Sequence, residues 1–182
     1  MKKFAIATLA LAAIAASAAD SVSLESQRQT NVGGEHVQQF ALGFKKDLKQ
    51  NLSGDVSIST TQTSRTQTLG ARLEAGLTPT FALPGGITGY TRVALGENLG
   101  TGKAVTYYSI EPGIQAPVGP VTAKVGFRYR SATDSAFNDQ THTVRTGVSY
   151  ALTKVDSIGV RYDHVRGDAT QNNWALNYAR SF

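Results

Sequence analysis

Large apolar side chains occupy every second position in one segment after another: Leu69, Ala71, Leu73, Ala75 and Leu77; Val121, Ala123, Val125, Phe127 and Tyr129; Trp174, Leu176 and Tyr178. Successive side chains of a strand point to opposite faces, so this spacing predicts strands with one apolar face rather than helices. Ten such segments follow one another, near residues 21–30, 35–45, 53–61, 68–78, 87–96, 104–114, 121–131, 141–152, 157–166 and 173–182. Gly, Pro, Asn and Asp recur between them, the residues that accept turn dihedrals. Beyond residue 19 no stretch approaches the roughly 20 apolar residues of a spanning helix. The other way to cross hydrocarbon with every backbone group paired is a closed barrel. The sequence therefore predicts an all-β, transmembrane, antiparallel up-and-down barrel of about ten strands, with both termini on one side.

The two faces differ in kind. Apolar positions continue through Phe40, Leu42, Phe44, Val56, Ile58, Ile87, Val93, Leu95, Tyr108, Ile110, Val144, Val148, Tyr150, Leu152, Ile158, Val160 and Tyr162, with Phe182 at the end. The opposite face collects Lys45, Asp55, Arg72, Glu74, Tyr90, Arg92, Tyr107, Glu111, Lys124, Arg128, Arg130, Arg145, Arg161 and Asp163. A soluble barrel or sandwich has the same alternation with its apolar side in the core. Glycine placement favours the membrane arrangement, because Gly96, Gly113, Gly126 and others share the charged face, and glycine is useful where enclosed side chains crowd. Tyr129, Tyr150 and Trp174 fall near strand ends, as an aromatic girdle requires. Arg180 is the awkward residue, on the lipid side and obliged to reach the interface.

The amino terminus is consistent with export. Lys2 and Lys3 precede an apolar run, and Ser17, Ala18 and Ala19 suit a signal peptidase, so residues 1–19 are expected to be a cleaved signal peptide and 20–182 the barrel. Cleavage lowers the formal charge from +5 to +3, because two lysines leave and all thirteen acids stay. With no cysteine there is neither a lipidated cysteine nor a disulfide.

The closing run WALNYARSF, residues 174–182, resembles the C-terminal insertion signal of bacterial outer-membrane barrels, carried by Trp174, Leu176, Tyr178 and Phe182. That resemblance implies an integral protein of the bacterial outer membrane, in contact with its lipid and recognised by the barrel-assembly machinery. The segments GFKKDLKQNLSG (43–54), YYSIEPG (107–113), GFRYR (126–130) and YALTKVDSIGVRY (150–162) look like hairpins of small outer-membrane barrels. More loosely they resemble the monomeric oligogalacturonate-specific porins, whose members line a twelve-stranded pore with basic residues to pass acidic sugars. The resemblance implies a Gram-negative, porin-like transport protein, here with ten strands and so a narrower lumen.

What the lumen does turns on its charges. The expected pore-lining set is Arg72, Glu74, Tyr90, Arg92, Tyr107, Glu111, Lys124, Arg128, Arg130, Arg145, Arg161 and Asp163. Counting Lys45 and Asp55, six arginines and two lysines face four acids. Arg72 with Glu74, and Arg161 with Asp163, lie two apart on one face, roughly 6–7 Å, within salt-bridge reach. One reading is a lumen stitched shut by such pairs. The other is a narrow pore for small anions, with unmatched charge on Lys124, Arg128, Arg130 and Arg145 along one wall. Ten-stranded proteases of the omptin type use an Asp–His couple at the outer rim, and Asp163-His164 invites comparison. Neighbours on a strand point to opposite faces, so the couple cannot jointly poise a water, and no enzyme is expected. His36, His142 and His164 lack metal spacing, no cofactor is implied, enclosed charges do not suit nucleic acid, and a monomer is expected.

Overall fold

The computed structural model describes residues 19–31, 34, 36–63, 69–99, 104–137, 139–168 and 170–182; the expected signal peptide falls, but for Ala19, outside them. Ten strands run β1 (Ser21–Asn31), β2 (His36–Lys49), β3 (Leu52–Thr63), β4 (Leu69–Ala82), β5 (Thr88–Leu99), β6 (Val105–Val118), β7 (Val121–Ala132), β8 (Thr141–Ala151), β9 (Asp156–Gly167) and β10 (Gln171–Ser181). Each pairs antiparallel with its sequence neighbours, and β1 pairs with β10, closing the barrel. All ten expected strands are present. Closure runs from Ser21 opposite Ser181 to Asn31 opposite Gln171. Following paired residues once around from Glu25 returns to β1 displaced by about 12 residues, the stagger that goes with strongly tilted strands.

Several strands outrun the sequence expectation at the end that carries both termini. β2 continues to Lys49 across a register shift between Asp47 and Lys49, so the expected turn at 46–52 shrinks to two residues. β4 runs past Pro79, which reads locally as a strand breaker, while β6 carries Pro112 within the segment expected as strand. The ladder accommodates each by skipping pairs: β4–β5 pairing jumps from Leu77 with Val93 to Thr80 with Tyr90, and β6–β7 pairing from Ile110 with Tyr129 to Gly113 with Gly126. Between β6 and β7 the two-residue turn places Gly119 at φ 63°, a conformation that favours glycine. The longest connection, 133–140, lies at the opposite end.

The barrel is inside-out relative to a soluble protein. Leu95 and Trp174 on the outer face are 62% and 60% exposed, whereas Glu111 and Asp163 on the inner face are each 3% exposed. A continuous coat of Leu24, Phe40, Leu77, Val93, Val125, Phe127, Val148, Val160 and Leu176 faces outward. Such an apolar surface needs a lipid solvent, which excludes the soluble-barrel alternative. Arg180 does emerge on this face, and it is held at the rim by Asp156, 3.6 Å away, which also accepts a 2.6 Å hydrogen bond from the Tyr178 hydroxyl.

Candidate lumenal site

Inward positions of β4 to β9 deliver the charged side chains to a shared interior. Glu74 on β4 is the hub. Its carboxylate accepts from Arg92 Nη1 at 2.6 Å, from Arg128 Nη2 at 2.6 Å and from the Tyr107 hydroxyl at 2.7 Å. Arg92 turns its other side to Asp55 on β3, with Nε and Nη2 at 3.1 and 2.5 Å. Arg128 comes from β7, so its bond to Glu74 is a chord across the barrel rather than a contact between neighbouring strands.

A second network lies beside it. Glu111 accepts from Arg145 Nη1 at 2.7 Å and from the Tyr90 hydroxyl at 3.3 Å. Arg145 Nε sits 3.5 Å from Asp163, and Asp163 accepts from Arg161 Nε at 3.1 Å. Arg161 forks onto both oxygens of Glu25 on β1, at 2.6 and 2.9 Å, and reaches Gln27 at 3.1 Å. A planar guanidinium holding a carboxylate with two parallel bonds is the strongest pairing available to it.

Two tyrosines brace these networks. Tyr107 is fully buried, with Arg72 and Arg130 guanidinium carbons 5.6 and 5.2 Å from its ring centre. Tyr90 carries the Lys124 ammonium 4.2 Å from its own ring centre, so a lysine rather than an arginine stacks there. Both rings lie over glycine. A Cβ on Gly96 would sit 2.3 Å from Tyr107, and one on Gly113 would sit 2.3 Å from Tyr90.

These twelve side chains turn inward, but their pairing departs from the sequence reading. Arg161 and Asp163 do pair. Arg72 and Glu74 do not, because Glu74 is taken by three donors from other strands while Arg72 Nε donates to Asn98, its cross-strand partner, at 2.7 Å. The wall of unmatched cations is also corrected: Arg128 meets Glu74, Arg145 meets Glu111, and Arg130 meets Asp139 from the 133–140 connection. Glu25 and Asp139 were not anticipated as lumenal partners. Glu25 stands on β1, where Ser, Gln, Glu and Arg leave little apolar alternation to reveal a face, although its spacing from Ser23 and Gln27 was the available signal. Lys45 lies at the mouth, more than half exposed and 3.5 Å from Asp47, outside the enclosed set. Asp163 points into the lumen while His164 points out to Asn172 and Arg166, so the Asp–His couple does not form.

Two cavities occupy the lumen among the described residues. The larger, about 440 Å3, reaches toward the end away from the termini, between Arg72, Arg130 and Thr141 on one side and Ser23, Ser57 and Ser59 on the other. The smaller, about 200 Å3, opens toward the termini past Gln115, Thr122, Ser149 and Asn177. Glu111, Lys124, Arg145 and Arg161 line both and form the partition between them. Lys124 joins no ion pair among the described residues. The Nε atoms of Arg128 and Arg130 are buried without a hydrogen-bond partner.

No protein-family model and no curated protein matches the sequence. Solved structures do match the fold. The β-domain of the Bordetella autotransporter BrkA shares 13% identity at a TM-score of 0.57, covering 89% of this chain and 98% of that one. The NanC porin shares 8% at 0.57, covering 88% and 100%. The KdgM porin, solved with disordered oligogalacturonate, shares 13% at 0.52, covering 89% and 99%. The chain is thus similar in fold to small outer-membrane barrels that include an oligogalacturonate-binding porin.

Proposed function

We propose that the protein is an integral, monomeric barrel of the bacterial outer membrane, exported by a cleaved leader, that forms a narrow porin-like path for small anionic solutes, acidic sugars among them. One observation carries this reading: two polar cavities approach each other from opposite ends and meet at a single partition of Glu111, Lys124, Arg145 and Arg161. The basic surplus supports anions over cations. Lys124 joins no ion pair among the described residues and lines both cavities, so its ammonium is a cation that a passing anion can meet. A ten-stranded interior admits only small species, since its width lies just above that of barrels whose side chains fill them. That KdgM is a porin solved with an acidic oligosaccharide supports the solute class as an analogy of fold. The role is transport, not catalysis.

The bond from Arg128 to Glu74 across the barrel favours a second reading, a closed barrel with a structural role. Planar-bilayer recording separates the two. The channel reading expects small unitary conductance and, under a salt gradient, a reversal potential of the sign set by anion permeation. Silence at every voltage removes it and leaves the closed barrel.

A further inference from the structure

Cations on the outer face are treated differently at the two rims. Near the termini, Arg180 has Asp156 at 3.6 Å and Lys46 has Asp20 at 3.7 Å. At the opposite rim, Arg28 and Arg166 are exposed and join no ion pair among the described residues. Two acids of that end are engaged elsewhere: Asp168 accepts the Gln140 backbone N–H at 2.6 Å, and Asp139 holds Arg130. A guanidinium stays charged at any accessible pH, so beside hydrocarbon it requires an anion from its surroundings.

The local geometry prepares Arg166 for one. His142 is its directly opposed cross-strand neighbour, and His142 also stacks 5.2 Å from Tyr129. Arg166 Nε donates to His164 Nε2 at 2.9 Å, which makes that nitrogen an acceptor and leaves Nδ1 to donate to Asn172 Oδ1 at 2.8 Å. The same Asn172 oxygen accepts the Tyr162 hydroxyl at 2.8 Å. With Nε committed, both Nη groups of Arg166 remain for a bidentate oxyanion. Below this chain Tyr162 and Trp174 stack at 4.9 Å, and Arg28 stands opposite Trp174 on β1. Stacked Tyr and Trp on a barrel's outer face mark the headgroup level.

We propose that the outward rim formed by Arg166 and His142 above the Tyr162–Trp174 pair, with Arg28 beside Trp174, binds the phosphate of an anionic lipid headgroup in the outer leaflet. Carboxylate partners on the protein are dispensable there because the membrane supplies the counter-charge. The site is separate from the lumen and does not depend on solute passage.

Trp174 is the chain's one tryptophan and sits within the site, so its emission reports occupancy. The folded barrel in detergent is titrated with diphosphoryl lipid A in mixed micelles, and in parallel with the dephosphorylated form. The expected result is a saturable emission change, with the dephosphorylated lipid at least about tenfold weaker and Arg166→Gln weakening the phosphorylated lipid by roughly tenfold, one charge-assisted bond. Arg180→Gln, at the other rim, leaves the titration unchanged. Arg28→Gln gives an independent reading, and heat-modifiable gel mobility verifies that each variant is folded. Equal affinity for the two lipids, or no loss in either folded site variant, overturns the proposal. So does displacement of the lipid by millimolar inorganic phosphate, which would make this a free-anion site.

Discussion

The lumen has two unlike walls. From β4 to β9 it is built of long charged side chains braced by Tyr90 and Tyr107, and most charges there find an opposite on another strand, Arg72 and Lys124 excepted and Arg130 held by Asp139 of a connection. From β1 to β3 half of the side chains at the larger cavity are short and neutral, Ser23, Ala41, Gly43, Ser57 and Ser59, and among the rest only Glu25 and Asp55 are charged. The difference explains how a barrel of this size keeps any interior space. Long side chains alone would fill it, whereas a thin wall facing a thick one leaves about 440 Å3 between them. Ion pairing consumes charge on the thick wall, and open volume lies against the thin one.

The contrast can be broken most forcefully at its hub. Glu74→Ala leaves Arg92 and Arg128 facing Tyr107 without their shared carboxylate. Removing one partner of a buried ion pair costs about 3–5 kcal/mol. Urea unfolding in detergent measures it, and a loss below about 1 kcal/mol would mean that water already screens the network. Gly96→Ala tests the brace instead. The new Cβ meets the Tyr107 ring at 2.3 Å, and overpacking of this kind costs about 1–3 kcal/mol by the same assay. An unchanged midpoint would show the ring free to move.

The thin wall answers to conductance rather than stability. Ser57→Trp projects a bulky ring into the larger cavity, so unitary conductance falls severalfold while the barrel stays folded by gel mobility. Unaltered conductance would place the solute path elsewhere. A smaller effect is expected from Lys124→Gln, which removes the partition's unpaired cation and moves the reversal potential toward that of an unselective pore. Smallest is Lys45→Ala at the mouth. Its pair with Asp47 is more than half exposed on both sides, and such pairs contribute at most about 1 kcal/mol. A larger loss would draw the rim into the buried network.

These walls were unequally legible in the sequence. Strand number and facing follow from a binary signal, apolar or not at every second residue, and the ten segments and the inward set from Arg72 to Asp163 rest on it. Pairing is a different kind of information. Glu74 meets Arg128 only because closure and stagger bring β4 opposite β7, and no local spacing encodes a chord across a barrel. The Arg161–Asp163 pair was accessible because both belong to one strand face. β1 lacked a readable face, so Glu25 and the thin wall it adjoins went unrecognised. Pro79 misled in the same local way, since a closed sheet tolerates a missing N–H by leaving a gap in the ladder.

The seam between β1 and β10 has a consequence for biogenesis. Its eleven residue pairs join the first strand of the barrel to the last, so the sheet has two open edges until the final strand is in place. In hydrocarbon each open edge exposes a row of unsatisfied amides, at several kcal/mol apiece. A partly inserted chain is then no stepping stone. Insertion must be nearly concerted, or the growing edge must be lent a temporary strand by another protein until β10 replaces it.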